Sequence, residues 1–168
     1  IENVSKSRKL MEQARESEIY RKLAFTDELT GLLNRTAFKE DLESRTITDE
    51  ITQNESILPT VIFMVDLSDL KKCNDTYGHD YGDQYIKMAA DILKKVFVED
   101  DRCYRIGGDE FCAWSPEVSP DKINAKLRFL EKLVKEQSRK EFVVKFSIAV
   151  GYAVYKEKED SNLYSTLK

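Results

Sequence analysis

Long charged stretches with sparse apolar positions alternate along the chain with short, densely apolar runs, and this alternation marks out the elements. Over residues 1–24 the apolar positions (Val4, Leu10, Met11, Ile19, Tyr20 and Leu23) are scattered among charges without Gly or Pro. That pattern predicts a helix with only a thin apolar stripe. Such a stripe buries little against its own domain, so it suits pairing with a second copy or with an upstream domain. A solvated helical tail fits it equally well. Turn and cap residues crowd positions 26–31, and a helix over about 34–44 presents Ala37, Phe38 and Leu42. Residues 46–58 are mostly polar, run into Pro59, and read as a surface loop.

The segment Thr60-Val61-Ile62-Phe63-Met64-Val65-Asp66 is a continuous apolar run of strand length that closes on a carboxylate. Both of its faces must be covered, so it reads as a central strand. A short helical turn follows, with Ser68 or Asp69 as its cap, and then a polar loop over 74–79. A long helix from about Asp80 carries Ile86, Ala89, Ala90, Leu93, Val96 and Phe97 at helical spacing. Residues 102–106 and 110–114 read as strands joined by Gly107-Gly108-Asp109, a hairpin in which paired glycines supply positive φ. Ile123, Leu127, Leu130 and Val134 mark another helix. Residues 142–155 are β-rich, with Gly151 expected at a bend or bulge. This order of elements predicts an α/β sandwich built on a mixed sheet.

Composition narrows the function classes. At 168 residues and 41% hydrophobic, the chain is long and apolar enough for one domain with a real core. Its 27 basic residues against 31 acidic ones leave a net charge of −4, which argues against a nucleic-acid-binding surface. No apolar run approaches the roughly 20 residues of a membrane span, and no signal peptide is visible. Because the chain begins at Ile1, it reads as a piece of a longer protein. Cys73, Cys103 and Cys112 lack metal-ligand spacing and read as reduced, mostly buried thiols of a cytoplasmic protein.

The candidate chemistry lies in three carboxylates. Asp66 leaves the sheet where a buried strand opens into a loop, and the glycine turn carries Asp109 and Glu110 to the edge of neighbouring strands. If those ends coincide, three acids converge with no obvious arginine to neutralise them. Such a cluster needs a cation, and oxygen-only ligands suit Mg²⁺ or Mn²⁺. A carboxylate-held metal with open positions is a common arrangement for phosphate substrates. Carboxylates at strand ends are also common on solvated surfaces, and spacing alone leaves both readings open. Likewise Asn74, Asp75 and Asp83 suit turns and caps, Lys71 a solvated helix face, and His79 a loop.

Gly107-Gly108-Asp109-Glu110-Phe111 resembles the signature of the GGDEF family of diguanylate cyclases. Residues 27–35 (Asp-Glu-Leu-Thr-Gly-Leu-Leu-Asn-Arg) are similar to the family's opening motif, Asp-x-Leu-Thr-Gly-Leu-x-Asn-Arg. Asp66-Leu67, Lys71, residues 74–79 and Gly82-Asp83 resemble its central block, in matching order over roughly residues 26–155. The resemblance implies a mixed, mainly antiparallel sheet flanked by helices, like the palm of nucleotidyl cyclases. An N-terminal helix over residues 1–25 would lead into a catalytic domain over 26–168. It implies an enzyme that joins two GTP into cyclic di-GMP, probing no nucleic acid and working as a homodimer under an upstream sensory domain. The parent protein would be cytoplasmic, or tethered to a membrane through its upstream region.

By the same resemblance, Asp66 through its side chain, Leu67 through its carbonyl, Glu110 and Asp109 would hold metal, two ions per active site. Asp109 and Glu110 would serve catalysis, with Asp109 beside the reacting hydroxyl. Gly107 and Gly108 would let backbone approach the phosphates, Asn74 and Asp83 would bind the guanine edge, His79 would shape the pocket, and Lys71 would offer charge. Asp27 and Arg35 would fix the junction with the N-terminal helix. An acceptor-only carboxylate at Asp83 favours guanine over adenine.

Three departures stand out. Ser68 and Leu70 replace the Asp and Phe common in the family's Asp-x-Asp-x-Phe-Lys block. Val98-Glu99-Asp100-Asp101 lacks the arginine of its product-inhibition motif. The chain also stops at Lys168, before the family's closing helix and strand, so the domain reads as truncated at its C-terminal end. A non-catalytic module that binds GTP or cyclic di-GMP, and a pure dimerisation domain, are the competing readings.

Overall fold

The computed structural model describes residues 2–51, 60–116, 119–140 and 142–155. Helix α1 (Glu2–Phe25) leads into a two-residue strand β1 (Leu33–Asn34) and helix α2 (Arg35–Ile51). Strand β2 (Thr60–Leu67) follows, then helices α3 (Leu70–Tyr77) and α4 (His79–Val96). Strands β3 (Arg102–Arg105) and β4 (Glu110–Ser115) form the hairpin, before helix α5 (Pro120–Ser138) and strand β5 (Ile148–Tyr155). The sheet order is β1-β3-β4-β2-β5, with β1 parallel to β3 and every other pairing antiparallel. This is the expected mixed, mainly antiparallel sheet flanked by helices.

Alternation along β2 splits the core in two. Val61, Phe63, Val65 and Leu67 face α4 and α5, where they join Ile86, Leu93, Phe111 and Leu130. Ile62 faces the other way, onto Ala37, Phe38, Tyr104 and Trp114. Both faces of the central strand are therefore covered, which is why it reads as one apolar run. Each such large side chain, fully buried, contributes roughly 1.5–3 kcal/mol. The Phe38 and Tyr104 rings meet edge to face at 5.2 Å, and the Tyr104 hydroxyl donates to Asp41 at 2.6 Å.

Several expectations need correcting. Helix α2 continues through residues 46–51, because the polar residues there include no helix breaker; residues 52–59 of the expected loop lie outside the described residues. Residues 74–77 form the last turn of α3 rather than a loop, since Leu70 and Cys73 are buried and anchor the helix. Only Gly78, at φ 89°, separates α3 from α4. Asp69 does occupy the cap position of α3, but at φ 62° its side chain makes no cap bond. Neither Gly107 nor Gly108 takes positive φ. Strand β5 pairs with β2 without interruption across Gly151, which sits opposite Met64, so there is no bulge. Residues 142–147 are irregular rather than extended: Phe142 stacks on Tyr85 at 5.9 Å and Phe146 meets it edge-on at 5.2 Å. Packing onto α4 replaces pairing into the sheet there.

Helix α1 leaves Met11, Ile19, Tyr20 and Leu23 exposed, but at about 100° per residue they spread around the helix instead of lining the expected thin stripe. Its end is fastened by Asn34, whose side-chain amide donates to the Ala24 carbonyl at 2.8 Å. The Asn34 side-chain oxygen meanwhile accepts from the Thr36 and Ala37 amides, capping α2. Among the described residues no helix is long and apolar enough to cross a membrane.

Candidate functional site

The strand ends do coincide. Asp66, next to last in β2, lies directly opposite Glu110, the first residue of β4, and opposite Ala149 on its other side. Residues opposite one another across an antiparallel pair share a face of the sheet. The Leu67 amide donates to the Asp109 carbonyl at 2.9 Å, which holds the turn against the end of β2. The Ile106 and Gly107 amides both donate to the Glu110 carbonyl, at 2.9 and 3.2 Å, and close the hairpin.

The three acids line two adjoining depressions that share Asp66. Asp66 and Asp109 line a depression of about 460 Å³ together with Leu67, Asp69, Lys71 and Lys72. Asp66 and Glu110 line a second one of about 320 Å³ with Met64, Ala149 and Gly151. Asp66 thus stands between Asp109 and Glu110. Among the described residues no three His, Cys, Asp or Glu side chains form a ready-made metal cluster. The donor chemistry nevertheless fits a hard divalent cation. Two acids directly opposite on neighbouring strands repel one another, and an oxygen-binding cation removes that repulsion.

Gly107 has a different reason to be glycine from the one its sequence suggests. A Cβ there would lie 2.5 Å from the Glu110 carboxylate and 3.2 Å from the Glu110 Cβ. The missing side chain makes room for the acid. Gly82 does the same for Asn74, whose side-chain oxygen would lie 1.8 Å from a Cβ at position 82. Helix α4 therefore comes close enough to α3 to seat the Asn74 amide against the residue before Asp83. His79 and Asp83, one helical turn apart at the start of α4, are exposed, as is Lys71 on α3.

Some residues that build this region carry no motif signal. Tyr85 is buried; its hydroxyl donates to the Lys145 carbonyl and accepts from the Ser147 amide, both at 3.0 Å. The Ser147 carbonyl in turn accepts from the Ser68 amide at 3.1 Å, which anchors the chain just after Asp66-Leu67. Arg105 was not foreseen either. It takes the Asp27 carboxylate at 3.2 Å and so joins Asp27 at the junction with α1; Arg35 is exposed. Burial acts to raise the Asp27 pKa, but hydrogen bonds from the Thr30 hydroxyl and amide and the charge of Arg105 outweigh it and hold the acid below its usual range. The lone cation beside the glycine turn was the available signal.

The family model described as diguanylate cyclase, GGDEF domain, matches residues 24–168. Over 143 residues the chain is 28% identical to the probable diguanylate cyclase DgcT of Escherichia coli, covering 83% of this chain and 30% of that protein. It is 33% identical over 116 residues to the cyclic di-GMP phosphodiesterase PdeR of the same organism, covering 69% and 17% respectively. The coiled coil and GGDEF domain of DgcB from Caulobacter crescentus, solved in complex with c-di-GMP, superposes with a TM-score of 0.76 at 26% identity, covering 98% of this chain and 86% of that one. The chain spans less than a third of the length of either curated relative.

Proposed function

Because the chain belongs to the family of diguanylate cyclase GGDEF domains, we propose that it condenses two GTP into cyclic di-GMP and two pyrophosphates. The observation that carries this reading is the register that sets Asp66 opposite Glu110 with Asp109 fastened to Leu67. Asp66, the Leu67 carbonyl, Asp109 and Glu110 would hold two Mg²⁺ or Mn²⁺ ions, which when bound would neutralise phosphate charge and acidify a ribose hydroxyl.

The chain's own residues orient the rest. Asp83 accepts from the guanine N1–H and 2-amino group, Asn74 hydrogen-bonds the same base edge, and His79 shapes that pocket. The open backbone at Gly107 and Gly108 lies along the phosphates, and Lys71 offers them charge. The 3′-oxygen of one GTP attacks the α-phosphorus of the other, the bond to the bridging oxygen breaks, and pyrophosphate leaves. Asp109 accepts the hydroxyl proton. A second attack in the opposite sense closes the ring.

One such half-site holds one nucleotide, so two domains must face each other. The exposed apolar residues of α1 would pair two copies, making residues 1–25 a signal helix and residues 26–168 the catalytic domain under an upstream sensor. GTP as substrate places the domain in the cytoplasm. The likeness to a phosphodiesterase favours a second reading, in which the domain binds GTP or cyclic di-GMP and regulates a partner.

Incubation of the protein with GTP and Mg²⁺, with nucleotides resolved by mass, separates the two. Cyclic di-GMP is the expected product. GTP binding without turnover would support the regulatory reading instead.

A further inference from the structure

Arg105 joins two parts of the molecule that the sequence holds far apart. Its Nε and Nη2 donate to the Gly108 carbonyl at 3.3 and 2.8 Å, while Nη1 reaches both Asp27 carboxylate oxygens at 3.3 and 3.2 Å. The side chain is only 15% exposed, so the fork is held in place. Its backbone pairs in register with Asn34, the residue whose side chain fastens the end of α1. Asp27 itself follows α1 by two residues, and its amide donates to the Leu32 carbonyl at 2.8 Å. Two routes from the end of α1 therefore converge on Arg105, one on its backbone and one on its guanidinium.

At its other end lies the turn that carries Asp109. Among the described residues nothing lies within 4 Å of where a Gly108 Cβ would be, so side-chain packing does not fix that peptide. Glycine explores a wide range of φ and ψ, and an unpacked one at position 108 would pivot. The Gly108 carbonyl belongs to the peptide on one side of Asp109, and the Asp109 carbonyl, held by the Leu67 amide, to the peptide on the other. Arg105 and Leu67 thus hold Asp109 from both sides.

We propose that Arg105 is a positioning residue that ties the junction after α1 to the glycine turn and so fixes the orientation of Asp109 for turnover. The proposal rests on the cyclase reading. A planar fork is needed to grip one carbonyl and one carboxylate together, which a lysine ammonium does not reproduce.

The test compares wild type with Arg105→Lys, Asp27→Asn and the double variant, each in the full-length protein. Three quantities are read: kcat, the KM for GTP, and amide hydrogen exchange across residues 106–110. Positioning predicts a kcat about tenfold lower in each single variant with KM changed by less than about twofold, because guanine contacts lie elsewhere. It also predicts a double variant no worse than the more severe single, and faster exchange in the turn. Unchanged kcat and exchange, with only thermal stability reduced, would overturn it and leave a structural ion pair. Should wild type make no product, the cyclase reading fails, and the exchange comparison alone decides whether Asp27 and Arg105 hold the turn.

Discussion

Glycine carries much of the information at the scale of single residues, though not where φ would suggest. Gly82 and Gly107 matter because Asn74 and Glu110 occupy the space a side chain would need. Gly82→Ala is therefore expected to separate stability from binding. Alanine is the better helix former by about 1 kcal/mol, so the melting temperature should hold or rise. The Asn74 amide must swing away, and the loss of about one hydrogen bond should raise the KM for GTP roughly tenfold. Parallel thermal melts and steady-state kinetics check both halves. Asp66, Asp109 and Glu110 were legible because a strand-end acid and a hairpin acid depend only on local pattern. Arg105 was not, since its partner Asp27 lies 78 residues away and no periodicity links them.

Among the elements, the junction loop between α1 and β1 gives the clearest electrostatic prediction. The Asp27 pKa is lowered in the folded state, so its contribution to stability is present above the unfolded value near 3.8 and is lost as pH falls through the folded value. Urea unfolding midpoints measured from pH 6 down to 3 should fall steeply below about pH 4 for the wild type and less steeply for Asp27→Asn. Equal slopes would contradict the assigned role. Helix α3 shows why element boundaries were hard to read. Asn74, Asp75 and Thr76 favour turns, yet burial of Leu70 and Cys73 and the packing of α3 on α4 hold them helical. Residues 142–147 err in the opposite sense, because their β-prone side chains are used against Tyr85 instead of in a ladder. The central strand, the hairpin and α4 carried uninterrupted patterns, and those were legible.

For the whole molecule, the account requires two copies. Met11, Ile19, Tyr20 and Leu23 are exposed on α1, and each copy carries one pair of opposed acids, Asp66 and Glu110. Specific activity should rise with protein concentration until the dimer saturates, in step with mass measured by light scattering. Activity independent of concentration in a proven monomer would contradict it. The mixed sheet flanked by helices was legible from the order of periods along the chain, whereas the sheet order, with β2 between β4 and β5, depends on long-range pairing that a linear pattern does not carry. The central claim is that the β2 and β4 ends form one metal and phosphate site. Its most direct test is the initial rate of cyclic di-GMP formation over a Mg²⁺ series, for wild type beside Asp66→Asn and Glu110→Gln. The account predicts Mg²⁺-dependent product from the wild type and a loss of at least about a hundredfold in each variant, with GTP binding still measurable. Variants that turn over GTP as fast as the wild type would contradict it.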